Sequence, residues 1–139
     1  MADPKKTILV VEDDPIYAEF IRSSLVTAGL PVILQHVSTL EQAIAYTKGE
    51  KPYNDRSVYP LPRIVLLDLH LSTHHGFPFL RFLRDNGFLE NQKTRVIMLT
   101  ASSRTEDLQE ALRLGAISYL VKNPIASTII NVVSNFLPE

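Results

Sequence analysis

Five short apolar runs alternate with five segments of helical period, and that alternation leaves few folds open. The strand-like runs are expected over 7–12, 32–37, 63–68, 95–101 and 116–121. The amphipathic segments between and after them fall near 15–29, 39–50, 77–87, 104–114 and 126–137. Five successive strand–helix units argue for a doubly wound parallel α/β sheet with helices on both faces. Crossovers in such sheets are right-handed, and 2-1-3-4-5 is the common order for five strands. The run Val32-Ile33-Leu34-Gln35-His36 is the more polar one and suits an edge. The three most apolar runs suit the middle, where a strand is covered on both sides.

Local punctuation fits this division. Ser38-Thr39-Leu40-Glu41 and Ser103-Arg104-Thr105-Glu106 match the capping box that satisfies free N–H groups at a helix start. Pro15 and Pro78 stand where a first helical turn accepts proline, and Gly29 and Gly115 stand where helices end. The longest irregular stretch, 49–62, holds three prolines and is expected to be a surface loop. It reads either as a tolerated insertion or as a partner contact made through Tyr53 and Tyr59.

With 139 residues, one domain is the expectation, and the chain is long enough to bury a core without staples. A net charge of −1 supplies no global field to recruit nucleic acid or an anionic membrane surface. No basic recognition helix is visible, so DNA binding is not expected. The chain has no cysteine, which excludes disulfides, thiolate metal sites and a cysteine nucleophile. The start, Met1-Ala2-Asp3-Pro4-Lys5-Lys6, carries no signal-peptide pattern, and no apolar run reaches the ~18 residues that span a bilayer. A cytoplasmic location is the corresponding expectation.

The chemistry gathers at the strand ends. The first run closes in Glu12-Asp13-Asp14, the third in Asp68, the fourth in Thr100-Ala101 and the fifth in Lys122. In the order 2-1-3-4-5 the topological switch lies between the first and third strands, and open α/β sheets bind ligands there. Three or four carboxylates would then share one mouth, an arrangement that like charges disfavour unless a cation sits among them. Oxygen ligands suit Mg²⁺, which commonly binds one or two carboxylates plus phosphate. A carboxylate can also attack phosphorus and hold an acyl phosphate. Phosphoryl transfer needs its equatorial oxygens neutralised, which a metal on one side and Lys122 on the other would supply. The Thr100 hydroxyl and the backbone N–H of Ala101 could donate to phosphate oxygens, and the small side chain of Ala101 leaves room.

These residues resemble the response-regulator receiver domain, and the resemblance runs along nearly the whole chain. It rests on Ile-Leu-Val-Val-Glu-Asp-Asp-Pro (8–15), Val-Leu-Leu-Asp-Leu-His-Leu (65–71) with Gly76, Leu-Thr-Ala-Ser (99–102) and Tyr-Leu-Val-Lys (119–122). Each motif alone is weak, and four in order at these spacings are specific. The resemblance implies a flavodoxin-like receiver over 5–137 of the stand-alone, chemotaxis-like kind, with no output domain. It implies Asp68 as phosphoacceptor for a sensor histidine kinase or phosphotransfer protein, with no enzymatic activity beyond its own phosphoryl transfer and dephosphorylation. Asp13, Asp68 and the backbone carbonyl of His70 would bind Mg²⁺ directly, and Glu12 mainly through water. Thr100, Ala101 and Lys122 would contact the phosphoryl group. Tyr119 would switch together with Thr100, remodelling the face of the fourth helix, fifth strand and fifth helix toward a protein target.

Two departures stand out. The family usually has proline directly after the conserved lysine, with a cis bond before it. Here Asn123 follows Lys122, and Pro124 comes one residue later. A cis bond before a non-proline residue costs about 2.5–4 kcal/mol; either it is retained or Lys122 is aimed differently. Ser72 also stands where proline is common. His70 and Ser102 occupy positions that tune phosphoryl lifetime in the family.

Two other functions compete. A metal-dependent phosphatase or phosphotransferase using an aspartyl phosphate would want a second Asp at position 70, where this chain has His70. A degenerate receiver, serving as a constitutive interaction domain, is motivated by the displaced proline and opposed by the intact acidic set, Thr100 and Lys122. His70, His74 and His75 invite a zinc reading, but no fourth ligand has suitable spacing and His36 lies on another strand. Phe77, Phe79, Leu80, Phe82 and Leu83 read as core, with one or two Phe left exposed. The last helix has no charge between Ile125 and Leu137. Its core stripe is expected to be Ile125, Ile129, Val132, Val133 and Phe136, widened by Ile130 and Leu137. The uncharged outer face suits a homodimer or target contact.

Overall fold

The structure is a computed structural model that describes residues 5–71 and 75–137. Its element order is β1 (Lys6–Val11), α1 (Pro15–Thr27), β2 (Val32–Val37), α2 (Leu40–Lys48), β3 (Ile64–Leu67), α3 (Phe77–Asp85), β4 (Arg95–Thr100), α4 (Thr105–Arg113), β5 (Ser118–Val121) and α5 (Ala126–Phe136). All five strands are parallel, in the order β2-β1-β3-β4-β5. The anticipated topology is therefore the observed one, with β1, β3 and β4 inside and the polar β2 at one edge. β2 coincides with its sequence pattern and β1 is shifted by one residue; the other elements are one to three residues shorter than theirs, because the pattern also counts capping and terminal residues.

Side-chain alternation divides the core in two. Leu9, Val11, Val65, Leu67, Val96 and Met98 face one way, against Tyr46 of α2, Phe79, Leu80 and Leu83 of α3, and Ala111 of α4. Ile8, Val10, Ile64, Leu66, Ile97 and Leu99 face the other way, against Ile21 and Leu25 of α1 and Ile129 and Val133 of α5. Phe79 is buried, and Phe77 and Phe82 pack half-buried against the same core, so none of the three is left fully exposed.

Several local expectations shift. The box at the start of α2 slides by one residue: Thr39 Oγ1 accepts from Gln42 N at 3.1 Å, and Gln42 Oε1 accepts from Ser38 N at 2.8 Å. At α4 the box does not form. The residue before the helix is Arg104, and its N–H is taken by Ser102 Oγ at 3.3 Å. Ile125 is 70% exposed rather than part of the core stripe, because it precedes the first turn of α5. Pro15 opens α1, and Gly29 and Gly115 follow their helices with φ of +79° and +108°. Ser72, His74 and Pro138-Glu139 lie outside the described residues.

The 49–62 loop is built inward. Tyr53 and Tyr59 pack against Tyr46, with ring centroids 5.2 and 5.9 Å from it and 5.2 Å from each other. Both are half-buried, so these two rings make an internal contact with Tyr46. The Arg56 guanidinium donates to the carbonyls of Tyr46 (2.9 Å), Thr47 (2.7 Å) and Tyr59 (3.1 Å), tying the loop to the open C-terminal end of α2. Arg56→Ala removes three hydrogen bonds at once, leaving Tyr46 O its bond from Gly49 N, and is expected to cost about 2–3 kcal/mol, read as a lower urea midpoint with unchanged slope.

Candidate functional site

Backbone pairing carries each functional residue one step past its strand. Glu12 N donates to Val37 O at 3.0 Å, Asp68 N to Val11 O at 3.1 Å, and Lys122 N to Thr100 O at 2.7 Å. The sheet ladder thus sets four neighbouring strand ends side by side at its carboxyl edge. Glu12, Asp13 and Asp68 each place one carboxylate oxygen within 4.8 Å of the others'. Lys122 Nζ reaches across to Glu12 Oε1 at 2.5 Å and Asp68 Oδ2 at 3.0 Å, and its side chain keeps 16% of its accessible surface. Asp68 Oδ1 accepts from His70 N at 3.0 Å. The Lys122–Asn123 peptide bond is cis. The contacts with Glu12 and Asp68 show that the lysine is aimed into the site.

Asp14 does not join the group. Its Oδ1 caps α1 by accepting from Ile16 N at 2.9 Å, while its own N–H donates to Glu12 Oε2 at 3.1 Å. Three carboxylates converge, not four. Thr100 is buried at the end of β4, and its Oγ1 accepts a long bond from Ser102 N at 3.4 Å. The Ala101 residue beside it is exposed. Tyr119 donates its hydroxyl to Ser102 O at 3.0 Å, and Ser102 Oγ donates to Asp107 Oδ2 at 2.5 Å. Position 119 is thereby linked to the β4–α4 loop. His70 and His75 are exposed at the rim with ring centroids 5.4 Å apart.

Gly76 is fixed by space, since its φ of −74° suits any residue. Its N–H donates to Leu69 O at 2.6 Å, and a Cβ there would collide with the Asp68 carbonyl oxygen. The turn carrying Asp68 and the start of α3 meet backbone to backbone.

Two neighbours escaped the sequence reading. His36 Nε2 lies 2.6 Å from Glu12 O, and Tyr17 of α1 sets its ring 4.6 Å from Lys122 Nζ. For Tyr17 a signal was present: it stands one helical turn before Ile21, which faces the sheet, so it belongs to the first inward turn of α1.

Burial pushes the Glu12 carboxyl up to about 7; the Asp68 charge adds to this, while Lys122 and the Asp14 N–H oppose it. For Lys122, burial works against the charge, yet the bonds to Glu12 and Asp68 carry its pKa above the ordinary lysine value. The Glu12 shift has a definite sign. Between about 4.5 and 7 the folded chain holds a proton that the unfolded chain has released. The contribution is complete below the unfolded value and fades as pH rises through about 7. In the presence of a chelator, Glu12 should therefore make the protein more stable at pH 5.5 than at pH 8, and Glu12→Gln should flatten that difference in paired urea titrations.

A family model described as the response regulator receiver domain matches residues 8–134. The chain belongs to that family. Among curated proteins, the receiver is 31% identical to the alkaline phosphatase synthesis transcriptional regulatory protein SphR of Synechococcus elongatus, over 87% of this chain and 44% of that protein. It spans about half the length of the curated relatives it matches. Among solved structures, response regulator RPA3017, in red light signaling of R. palustris, is 29% identical with a TM-score of 0.80, covering 94% of this chain and 90% of that one. Bacteriophytochrome response regulator RtBRR is 27% identical with a TM-score of 0.80, covering 97% and 80% respectively. The structural likenesses agree with the five-stranded parallel sheet.

Proposed function

We propose that this receiver accepts a phosphoryl group on Asp68 from a histidine kinase or phosphotransfer protein, with Mg²⁺ bound beside it, and signals through protein contacts. The observation that carries the reading is the meeting of Glu12, Asp13 and Asp68, with one ammonium, Lys122, bonded to two of them. Three carboxylates against one lysine leave the pocket net negative, and burial already resists full ionisation of Glu12. An all-oxygen donor set of this charge fits a hard divalent cation. Asp13, Asp68 and the His70 carbonyl would hold it directly, and Glu12 through water. The bound cation would neutralise phosphoryl charge.

This chain's own groups do the rest. A carboxylate oxygen of Asp68 attacks phosphorus, and the bond from phosphorus to the donor breaks. Lys122 stays within reach of the product oxygens, and the Thr100 hydroxyl and Ala101 N–H offer further donors. Movement of Thr100 toward the phosphoryl group would free the β4–α4 loop to rearrange, with Tyr119 as its partner. The surface that would read this out is α4-β5-α5. Leu108, Leu112 and Val121 lie exposed there, and α5 presents Ser127, Asn131 and Ser134 without charge. A target or a second copy of the chain would dock on this face, and neither nucleic acid nor membrane is needed. Among the described residues no helix is long and apolar enough to cross a membrane. A cytoplasmic site of action, and no catalysis of other substrates, belong to the same proposal.

Incubation with Mg²⁺ and acetyl phosphate is expected to add about 80 Da, the mass of one phosphoryl group carried as a charged modification. The adduct should be absent in Asp68→Asn and in EDTA. A wild-type chain that takes up neither the phosphoryl group nor Mg²⁺ would instead be a degenerate receiver, acting through fixed contacts.

A further inference from the structure

Lys122 has more than carboxylates around it. Its Nζ lies 4.6 Å from the centroid of the Tyr17 ring, within the distance at which a ring face attracts a cation. Tyr17 comes from α1, whereas Lys122 follows β5 at the far edge of the sheet. The contact therefore joins the first helix to the last strand across the mouth of the site. The Tyr17 hydroxyl is buried and has no hydrogen-bond partner among the described residues. A buried hydroxyl without a partner is a cost, not a gain. The useful part of this side chain is its ring.

A lysine is a compact charge on a flexible stem, and only its partners fix where the charge sits. Glu12 and Asp68 hold the ammonium while both are anionic. Once Asp68 carries a phosphoryl group, the esterified oxygen gives up its charge and the negative charge moves outward onto the phosphoryl oxygens, so the pull on the ammonium from Asp68 changes direction while that from Glu12 stays in place. A ring face offers attraction that does not change with the charge on Asp68.

We propose that Tyr17 is a positioning residue for phosphoryl transfer: its ring face holds the Lys122 ammonium over the Asp68 carboxylate before and after the phosphoryl group arrives. The proposal rests on the receiver reading above, and names the group that sets the lysine rather than one that touches phosphate.

The test uses the full chain with Tyr17→Phe, Tyr17→Leu, and phenylalanines of increasing ring fluorination at position 17. Fluorine withdraws the negative face of the ring while nearly preserving its shape, so the series stays informative even if Tyr17→Leu fails to fold. The first readout needs no phosphorylation. The Lys122 side-chain NMR resonances should show a ring-current shift in wild type and Tyr17→Phe that is lost in Tyr17→Leu. The second is the rate of Asp68 phosphorylation by acetyl phosphate at low and saturating donor. Tyr17→Phe should match wild type. Tyr17→Leu should lose roughly threefold to tenfold in the saturating rate with little change in the half-saturating concentration. Stepwise fluorination should lower the logarithm of that rate in proportion to the weakened cation attraction. A flat fluorination series, or a Tyr17→Phe variant as slow as Tyr17→Leu, overturns the proposal. A wild-type chain that accepts no phosphoryl group overturns the receiver reading and the positioning role together, and the NMR arm then reports whether the ring–ammonium contact itself exists.

Discussion

Lys122→Ala is expected to slow Mg²⁺-dependent phosphorylation of Asp68 by roughly 10²–10³-fold, the scale seen when one preorganised charge-stabilising donor is removed. The same variant should bind Mg²⁺ more tightly than wild type. Both effects follow from one placement. The ammonium bonds Glu12 and Asp68 simultaneously, and those carboxylates belong to the only group of three metal-type ligands among the described residues. In the resting protein it competes with a metal for anionic oxygens; during transfer it would neutralise phosphoryl oxygens. Its removal leaves the carboxylates close together without a counter-charge, so the pocket gains appetite for a divalent ion as it loses catalytic electrostatics. Titration calorimetry with Mg²⁺ and mass spectrometry of the adduct separate the two. A variant that binds metal more weakly, or that reacts at the wild-type rate, would refute the assignment.

Gly76→Ala is expected to lower stability by about 1–3 kcal/mol, a fall in Tm on the order of 5–10 °C, and to impair Asp68 phosphorylation as well. A single methyl group rarely does this at a surface turn. Here it would meet the backbone carbonyl of Asp68, which cannot rotate aside as a flexible side chain would, and Leu67 Cδ1 lies 3.3 Å away. The Gly76 N–H is also anchored to Leu69 O at 2.6 Å, which stops the turn from retreating. Relief must come from shifting Asp68 or the start of α3. Differential scanning calorimetry reads the first effect and adduct formation the second. Gly49→Ala is the contrast. That position has a φ of +73° and would meet the movable Arg56 side chain, so its variant should lose stability without touching the site.

The competing functions weaken on particular residues. An aspartyl-phosphate hydrolase would need an acid at position 70, and the residue there is an exposed histidine whose N–H donates to the carboxylate of Asp68. A zinc site on the loop histidines has a weaker basis than the acidic group. The His70 and His75 rings stand near each other, but His36 is engaged with the Glu12 backbone on the far side of β1.

The order of strands, the two edges and the identity of the strand-end residues were legible in the sequence. Apolar runs of strand length separated by helical periods specify a parallel sheet, right-handed crossovers leave few orders of which 2-1-3-4-5 is the common one, and a residue just past a strand must project at the carboxyl edge. The four strand ends bearing Glu12, Asp68, Thr100 and Lys122 follow from that logic without any contact being known. Local periodicity is silent about which side chains meet once the sheet is assembled. Lys122 and Asp68 are 54 residues apart, and their 3.0 Å bond depends on two strands that each pair with β4. The sequence left open whether three or four carboxylates converge, and the start of α1 settles it by claiming Asp14 as a cap. Tyr53 and Tyr59 looked free until Tyr46 and Arg56 folded their loop inward. Tyr17 gained its neighbour only because α1 and the end of β5 converge on the same mouth. Backbone pattern is a property of neighbours along the chain and can be read from it; pairing of side chains is a property of distances in space, which exist only after the sheet has closed around its core.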